Sequence, residues 1–300
     1  MKIMVIDTVG GDRFSDGYKK YFPNAILRGI EMKDDGPCHP HGYQCGYYAG
    51  VLTGLLSEKC EIVFVRIFDG KSKIIPNAEN WVLEVVEKEK PDYISNSWGQ
   101  TDFDSWIGEV GGQVVWQEWA TKYRELTRGK VVSFFAAGNT DKNDKDIDID
   151  FPQRMIPYTA CIIGSHNRAG IPSKFSGDGQ GVLCTFWGEN VALLSGDQWH
   201  RGSGTSFACP KAAGLCAFLG LTNEKFRTYA TLNCSIPDDY QGLIPSVKWG
   251  LGSLEHKYQE YLARLPEELQ PPFMRSNIKV TEWKDFHEKD TVSDDKRETA

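Results

Sequence analysis

Short apolar runs, each only long enough to cross a sheet once, recur along the chain at residues 2–8 (KIMVIDT), 61–68 (EIVFVRIF), 93–97 (YISNS), 131–137 (VVSFFAA), 160–164 (ACIIG) and 191–194 (VALL). Each ends in small, polar or glycine residues, the pattern of strands buried on both faces. Between them lie stretches with helical spacing, such as Trp81, Val82, Val85 and Val86, or Val115, Trp119, Tyr123 and Leu126 closed by Gly129. Strands that alternate with helices specify an α/β fold of three layers, a mostly parallel central sheet with helices on both faces. In such sheets reacting groups collect at the carboxyl ends of strands, and Asp7 and Asn139 stand at such ends.

A chain of 300 residues, 40% of them hydrophobic, can bury one large core. Residues 1–265 are read as one catalytic domain, closing with a helix over 254–265. Pro266 and Pro271–Pro272 then break the helical pattern. Residues 266–300 are read as an appendage, with an edge strand at 276–283 and a charged, partly disordered tail. The 34 basic and 41 acidic residues give a net charge of -7 with no long block of either sign, which leaves no footprint for nucleic acid. No apolar run of about 18 residues is present to span a membrane, and the N-terminus lacks a signal-peptide plan. A soluble, cytoplasmic protein is expected.

The eight cysteines are scattered, without a C-x-x-C pair, and read as buried thiols in a reducing compartment. A metal site built from Cys38, His39, His41 and Cys45 competes with that reading, but no second ligand pair has a zinc spacing. No metal or cofactor is expected.

The densest chemical signal is Gly204-Thr205-Ser206-Phe207-Ala208-Cys209-Pro210-Lys211-Ala212-Ala213-Gly214, a serine at the start of a helix of small residues. First-turn N–H groups lack intrahelical partners and favour negative charge, so an oxyanion beside Ser206 would be stabilised. Pro210, read as near the helix start, removes a donor expected to be unpaired. An ordinary N-cap serine ahead of a core helix fits the same segment. A serine nucleophile needs a base. Of six histidines, His41 precedes Gly42 and a face of small residues that would let its helix approach the sheet; a solvated loop histidine is the other reading. Asp7 could orient that base, or cap a turn.

Together these residues fall in the order Asp7, His41, Ser206, and the surrounding motifs resemble those of subtilisin-like serine proteases. Val5-Ile6-Asp7-Thr8 is similar to the family's aspartate motif, His41-Gly42 to its histidine motif, and Gly204 to Pro210 to its serine motif. Ala136-Ala137-Gly138-Asn139 resembles the stretch that carries an oxyanion asparagine, and Ser97-Trp98-Gly99 the strand that pairs with substrate. Phe175-Ser176-Gly177-Asp178-Gly179, Gly188-Glu189-Asn190-Val191 and Trp249-Gly250-Leu251-Gly252 extend the likeness to about residues 2–265.

The resemblance implies a serine endopeptidase with Ser206 as nucleophile, His41 as general base, Asp7 as its orienting acid and Asn139 in the oxyanion hole. It implies substrate contacts from Ser97, Trp98, Gly99, Ala137 and Gly138, with protein or peptide as substrate. Asn139→Ala is expected to fold normally and cut slowly. Tyr43-Gln44 replace the family's residues after His-Gly, and the short passage from Leu55 to Cys60 leaves out its calcium loop.

With the first strand beginning at Lys2, no inhibitory propeptide is expected. Restraint is then assigned to narrow specificity, to a regulatory partner, or to the segment 266–300. Asp144, Asp146, Asp148 and Asp150, just before Phe151-Pro152, resemble in position the segment that forms the base of the family's primary specificity pocket, and Asp150 is expected to contact substrate. An acidic pocket would select Lys or Arg before the scissile bond, whereas a solvated acidic loop would select nothing. The alternative to an enzyme is a catalytically silent fold acting in binding or assembly.

Overall fold

The computed structural model describes residues 1–11, 13–32, 36–70, 73–99, 113–139, 152–195, 198–236 and 250–274. The strands are β1 (Lys2–Asp7), β2 (Ala25–Glu31), β3 (Cys60–Arg66), β4 (Tyr93–Asn96), β5 (Val132–Ala136), β6 (Cys161–His166), β7 (Val182–Trp187), β8 (Val191–Ser195) and β9 (Gln198–Gly202). The helices are α1 (Asp16–Lys19), α2 (His41–Gly50), α3 (Ala78–Glu89), α4 (Gln113–Thr127), α5 (Thr205–Phe218), α6 (Asn223–Asn233) and α7 (Glu255–Leu262).

Seven strands form one parallel sheet in the order β2-β3-β1-β4-β5-β6-β7. Alternation along β1 divides the core. Ile3 and Val5 join the cluster under α2, α5, α6 and α7, while Met4 and Ile6 join the cluster under α3 and α4. Burial on both faces explains why β1 reads as a continuous apolar run, and the three-layer α/β expectation holds.

Several elements differ from the sequence reading, β2, β7 and β8 among them. β2 is a half-buried edge strand whose Arg28 and Gly29 interrupt its apolar pattern. β7, carrying Cys184 and Thr185, forms the opposite edge. Residues 191–194 are extended as expected but pair antiparallel with β9, outside the main sheet.

Past α7, Leu265 and Leu269 are buried, and Tyr47 donates to the Leu269 carbonyl at 2.8 Å. Part of the segment 266–274 therefore packs on the core through Leu269; the expected edge strand at 276–283 and the charged tail lie outside the described residues. No described helix is long and apolar enough to cross a membrane.

The strand order positions the site. The chain crosses β1 between β3 and β4, creating a crevice at the carboxyl ends of β1, β4 and β5. Register aligns Ile6 with Asn96 and Asn96 with Phe135, so Asp7, Ser97 and the 136–139 turn emerge side by side.

Candidate active site

Asp7 ends β1 and is 1% exposed. Its Oδ1 accepts hydrogen bonds from Thr8 N and from His41 Nδ1, both at 2.7 Å. The next residue holds the histidine segment in place: Thr8 Oγ1 donates to the His39 carbonyl at 2.8 Å and accepts from Gly42 N at 2.9 Å. His41 opens α2, and its imidazole remains partly exposed. Burial pushes its pKa down, but the charge of Asp7 and the hydrogen bond to it outweigh that effect and hold the pKa above the usual histidine value.

Close approach is built into the helices by residues without bulk. A Cβ at Gly42 would lie 2.8 Å from Val9 N, and one at Gly214 would lie 2.7 Å from the Tyr48 carbonyl, so α2 rests directly on β1 and α5 directly on α2. Lys211 anchors α5 from within: fully buried, it donates to the Trp187 carbonyl at 2.7 Å and to Glu255 Oε1 at 3.0 Å. Burial lowers its pKa, against the opposing pull of Glu255.

Pro210 corrects the sequence reading. It is inside α5, four residues after Ser206, so the missing N–H would have bonded the Ser206 carbonyl. That carbonyl instead accepts from Ser97 Oγ at 2.9 Å and from Cys45 Sγ at 3.2 Å. The proline thus frees a carbonyl that ties the serine turn to β4 and α2.

Asn139 is oriented with equal definition. Its Oδ1 accepts from Thr205 N at 2.8 Å and from Thr205 Oγ1 at 3.0 Å, capping a helix whose own N-cap, Gly204, has no side chain to do so. Asn139 also lines the cavity described below. Because Asn139 also caps α5, the expectation that Asn139→Ala folds normally is revised to a loss of stability. Gly138 N donates to Thr205 Oγ1 at 3.2 Å, and Gly177 N to the Gly138 carbonyl at 2.9 Å.

A cavity of about 310 Å³ joins these groups. Its lining includes His41, Ser206, Asn139, Thr205, Ser97, Trp98, Gly99, Ala136, Gly138 and Gln153. Of the sequence candidates, Ala137 does not border it: its amide bonds the Ile163 carbonyl at 3.0 Å, and Ala136 takes the wall position. Asp150, with Asp144, Asp146 and Asp148, lies outside the described residues. The hydrogen bonds of the His41 ring run to Asp7 and Cys45 and not to Ser206.

The sequence reading missed Thr8, Cys45 as a cavity support, and Gln153. Thr8 directly follows Asp7, and Cys45 is one helical turn after His41, so both had a positional signal; Gln153 had none. Asp7, His41 and Cys45 place ligand atoms within 4.8 Å of one another. Burial, followed by the charge of Asp7, drives the Cys45 thiol pKa well above its usual value, which opposes the thiolate that a metal would need.

No curated protein matches the chain in sequence. Solved structures similar to it include the prenylagaramide maturation protease PagA, with a TM-score of 0.62 and 17% identity over 89% of this chain and 94% of that one. A lanthipeptide protease has a TM-score of 0.62 and 16% identity over 86% of each chain. The self-cleaved protease domain of PatA has a TM-score of 0.59 and 19% identity over 86% of this chain and 94% of that one. These likenesses agree in fold. The family model for the subtilase family matches residues 33–233, spanning the histidine and serine segments that the tertiary structure brings to one cavity, and the chain belongs to that family of serine-protease fold.

Proposed function

We propose that the protein is a serine endopeptidase that hydrolyses peptide bonds through an acyl-enzyme intermediate. The observation that carries this reading is the Asp7–His41 hydrogen bond of 2.7 Å, from a buried carboxylate to a half-buried imidazole, at the edge of a cavity that Ser206 and Asn139 also line. His41 Nε2 takes the Ser206 hydroxyl proton as the oxygen attacks the scissile carbonyl, and Asp7 stabilises the resulting imidazolium. The Asn139 side-chain amide and the Ser206 N–H hold the tetrahedral oxyanion. His41 then returns the proton to the leaving amine. Water, deprotonated by the same base, attacks the acyl carbon, and His41 passes that proton to Ser206 Oγ as the ester bond breaks and the acid product leaves.

The substrate backbone pairs along Ser97, Trp98 and Gly99, opposite Gly138. Residues 1–265 supply the catalytic unit, and narrow specificity, a regulatory partner or the segment 266–300 restrains it. A reducing, cytoplasmic setting fits eight cysteines that are all free. Selection of Lys or Arg by the Asp144–Asp150 stretch belongs to the same proposal.

Labelling by a fluorophosphonate and cleavage of casein, compared between wild type and Ser206→Ala, test the reading. Loss of both in the variant is expected. Equal behaviour of the two proteins would replace it with a catalytically silent binding or assembly module.

A further inference from the structure

Gln153 begins a short 3-10 turn, Gln153–Met155, and is fully buried at the wall of the candidate active-site cavity. Its Nε2 donates to the Ala136 carbonyl at 2.8 Å and to the Trp98 carbonyl at 3.1 Å. Backbone carbonyls only accept, so the atom facing both must be the amide nitrogen, and the orientation of the side chain follows from chemistry. Oε1 is thereby turned away from both carbonyls. It is buried and has no hydrogen-bond partner among the described residues.

Buried amide oxygens without a donor are rare, because leaving one unmade sacrifices its solvation for nothing. This one belongs to a residue bonded to both walls of the cavity, the 97–99 segment through Trp98 and the 136–139 turn through Ala136. Trp98, Ala136 and Gln153 border the same cavity as Ser206 and Asn139, so a substrate side chain that enters between the two segments would meet Gln153.

Resting on the protease reading above, we propose that Gln153 is a specificity-determining residue. Its Oε1 accepts a hydrogen bond from the side chain immediately before the scissile bond. The preferred substrates are peptides whose residue there carries an N–H or O–H donor. Isosteric side chains without a donor are cut more slowly, and carboxylates are rejected because they present a second acceptor to the first.

The test compares kcat/KM of the wild-type protein on fluorogenic peptides identical except at that residue, in three matched pairs: glutamine against methionine, lysine against norleucine, and threonine against valine. The donor member of each pair is expected to be favoured by about ten- to a hundredfold, the range for an unmet buried partner. In Gln153→Met the ratios should collapse toward one. Because that variant also loses the bonds to Ala136 and Trp98, the wild-type ratios stand as the primary readout. Ratios within twofold for all pairs overturn the inference, as do preserved ratios in Gln153→Met. Fluorophosphonate labelling separates the two levels: flat ratios with Ser206 labelled overturn only the role of Gln153, whereas no labelling overturns the protease reading and this inference with it.

Discussion

Gly42→Ala tests whether the histidine is positioned by backbone contact rather than by its hydrogen bond alone. A Cβ there would stand 2.8 Å from Val9 Cγ2, 2.8 Å from Val9 N and 2.9 Å from Val9 Cβ. Ordinary contact needs about 3.5 Å, so the start of α2 must retreat by about 0.7 Å. The Gly42 N to Thr8 Oγ1 bond, now 2.9 Å, would stretch to about 3.6 Å and cease to hold. His41 moves with it, and its 2.7 Å bond to Asp7 lengthens toward the same limit. Misplacement of a catalytic group by about 1 Å costs up to about a hundredfold, so kcat/KM should fall by about thirty- to a hundredfold. Overpacking of this kind costs about 1–3 kcal/mol, each kcal/mol lowering Tm by about 2–4 °C in a domain of this size. Steady-state kinetics on a chromogenic peptide, the rate of fluorophosphonate labelling and a thermal melt measure all three effects. A variant with wild-type kcat/KM and unchanged Tm would refute the idea that this contact sets the position of the base.

The raised pKa of His41 predicts that kcat/KM falls as pH drops through a midpoint above 6.5, since only the neutral imidazole accepts a proton; in Asp7→Asn burial alone remains, and the midpoint should move below 6.5. An unmoved midpoint in a pH–rate profile would remove the Asp7 assignment. The same shift makes a contribution to stability that is complete below pH 6.5 and is lost as pH rises through the folded-state value. Asn139→Ala should lower kcat by about 10²–10³ and stability by about 1 kcal/mol, whereas Asn139→Asp keeps the acceptor for Thr205 and should recover stability without activity; an aspartate variant with near wild-type kcat would exclude the oxyanion role. Deleting 266–300 strips the buried Leu269 from the core and should cost about 2–3 kcal/mol, while deleting 275–300 leaves Leu269 in the chain. Increased kcat/KM after the shorter deletion would support self-restraint, and unchanged activity would exclude it.

Where local order sufficed, the sequence was readable. β1 is buried on both faces, so its apolar run announced a central parallel strand, and the helical spacing of Trp119 and Tyr123 located α4. β2 was not readable because an edge strand needs only one apolar face, and Arg28 uses the other for Glu61 at 2.8 Å. Residues 191–194 were extended in pattern, but no periodicity states which strand is a partner. The site motifs were legible because each confines its chemistry to a few consecutive residues around Asp7, His41, Asn139 and Ser206.

Chain order alone determined that an acid, an imidazole, an amide and a hydroxyl stand at the ends or beginnings of elements in one α/β layer plan. Tertiary structure decided how they act on one another. Thr205, 66 residues away, holds the side-chain oxygen of Asn139, and the carbonyl freed by Pro210 is claimed by Ser97 and Cys45. Gln153 gained its place from two carbonyls that no spacing connects to it. Periodicity records which face of an element is buried; hydrogen-bond direction depends on the partner across the fold, which no local pattern encodes.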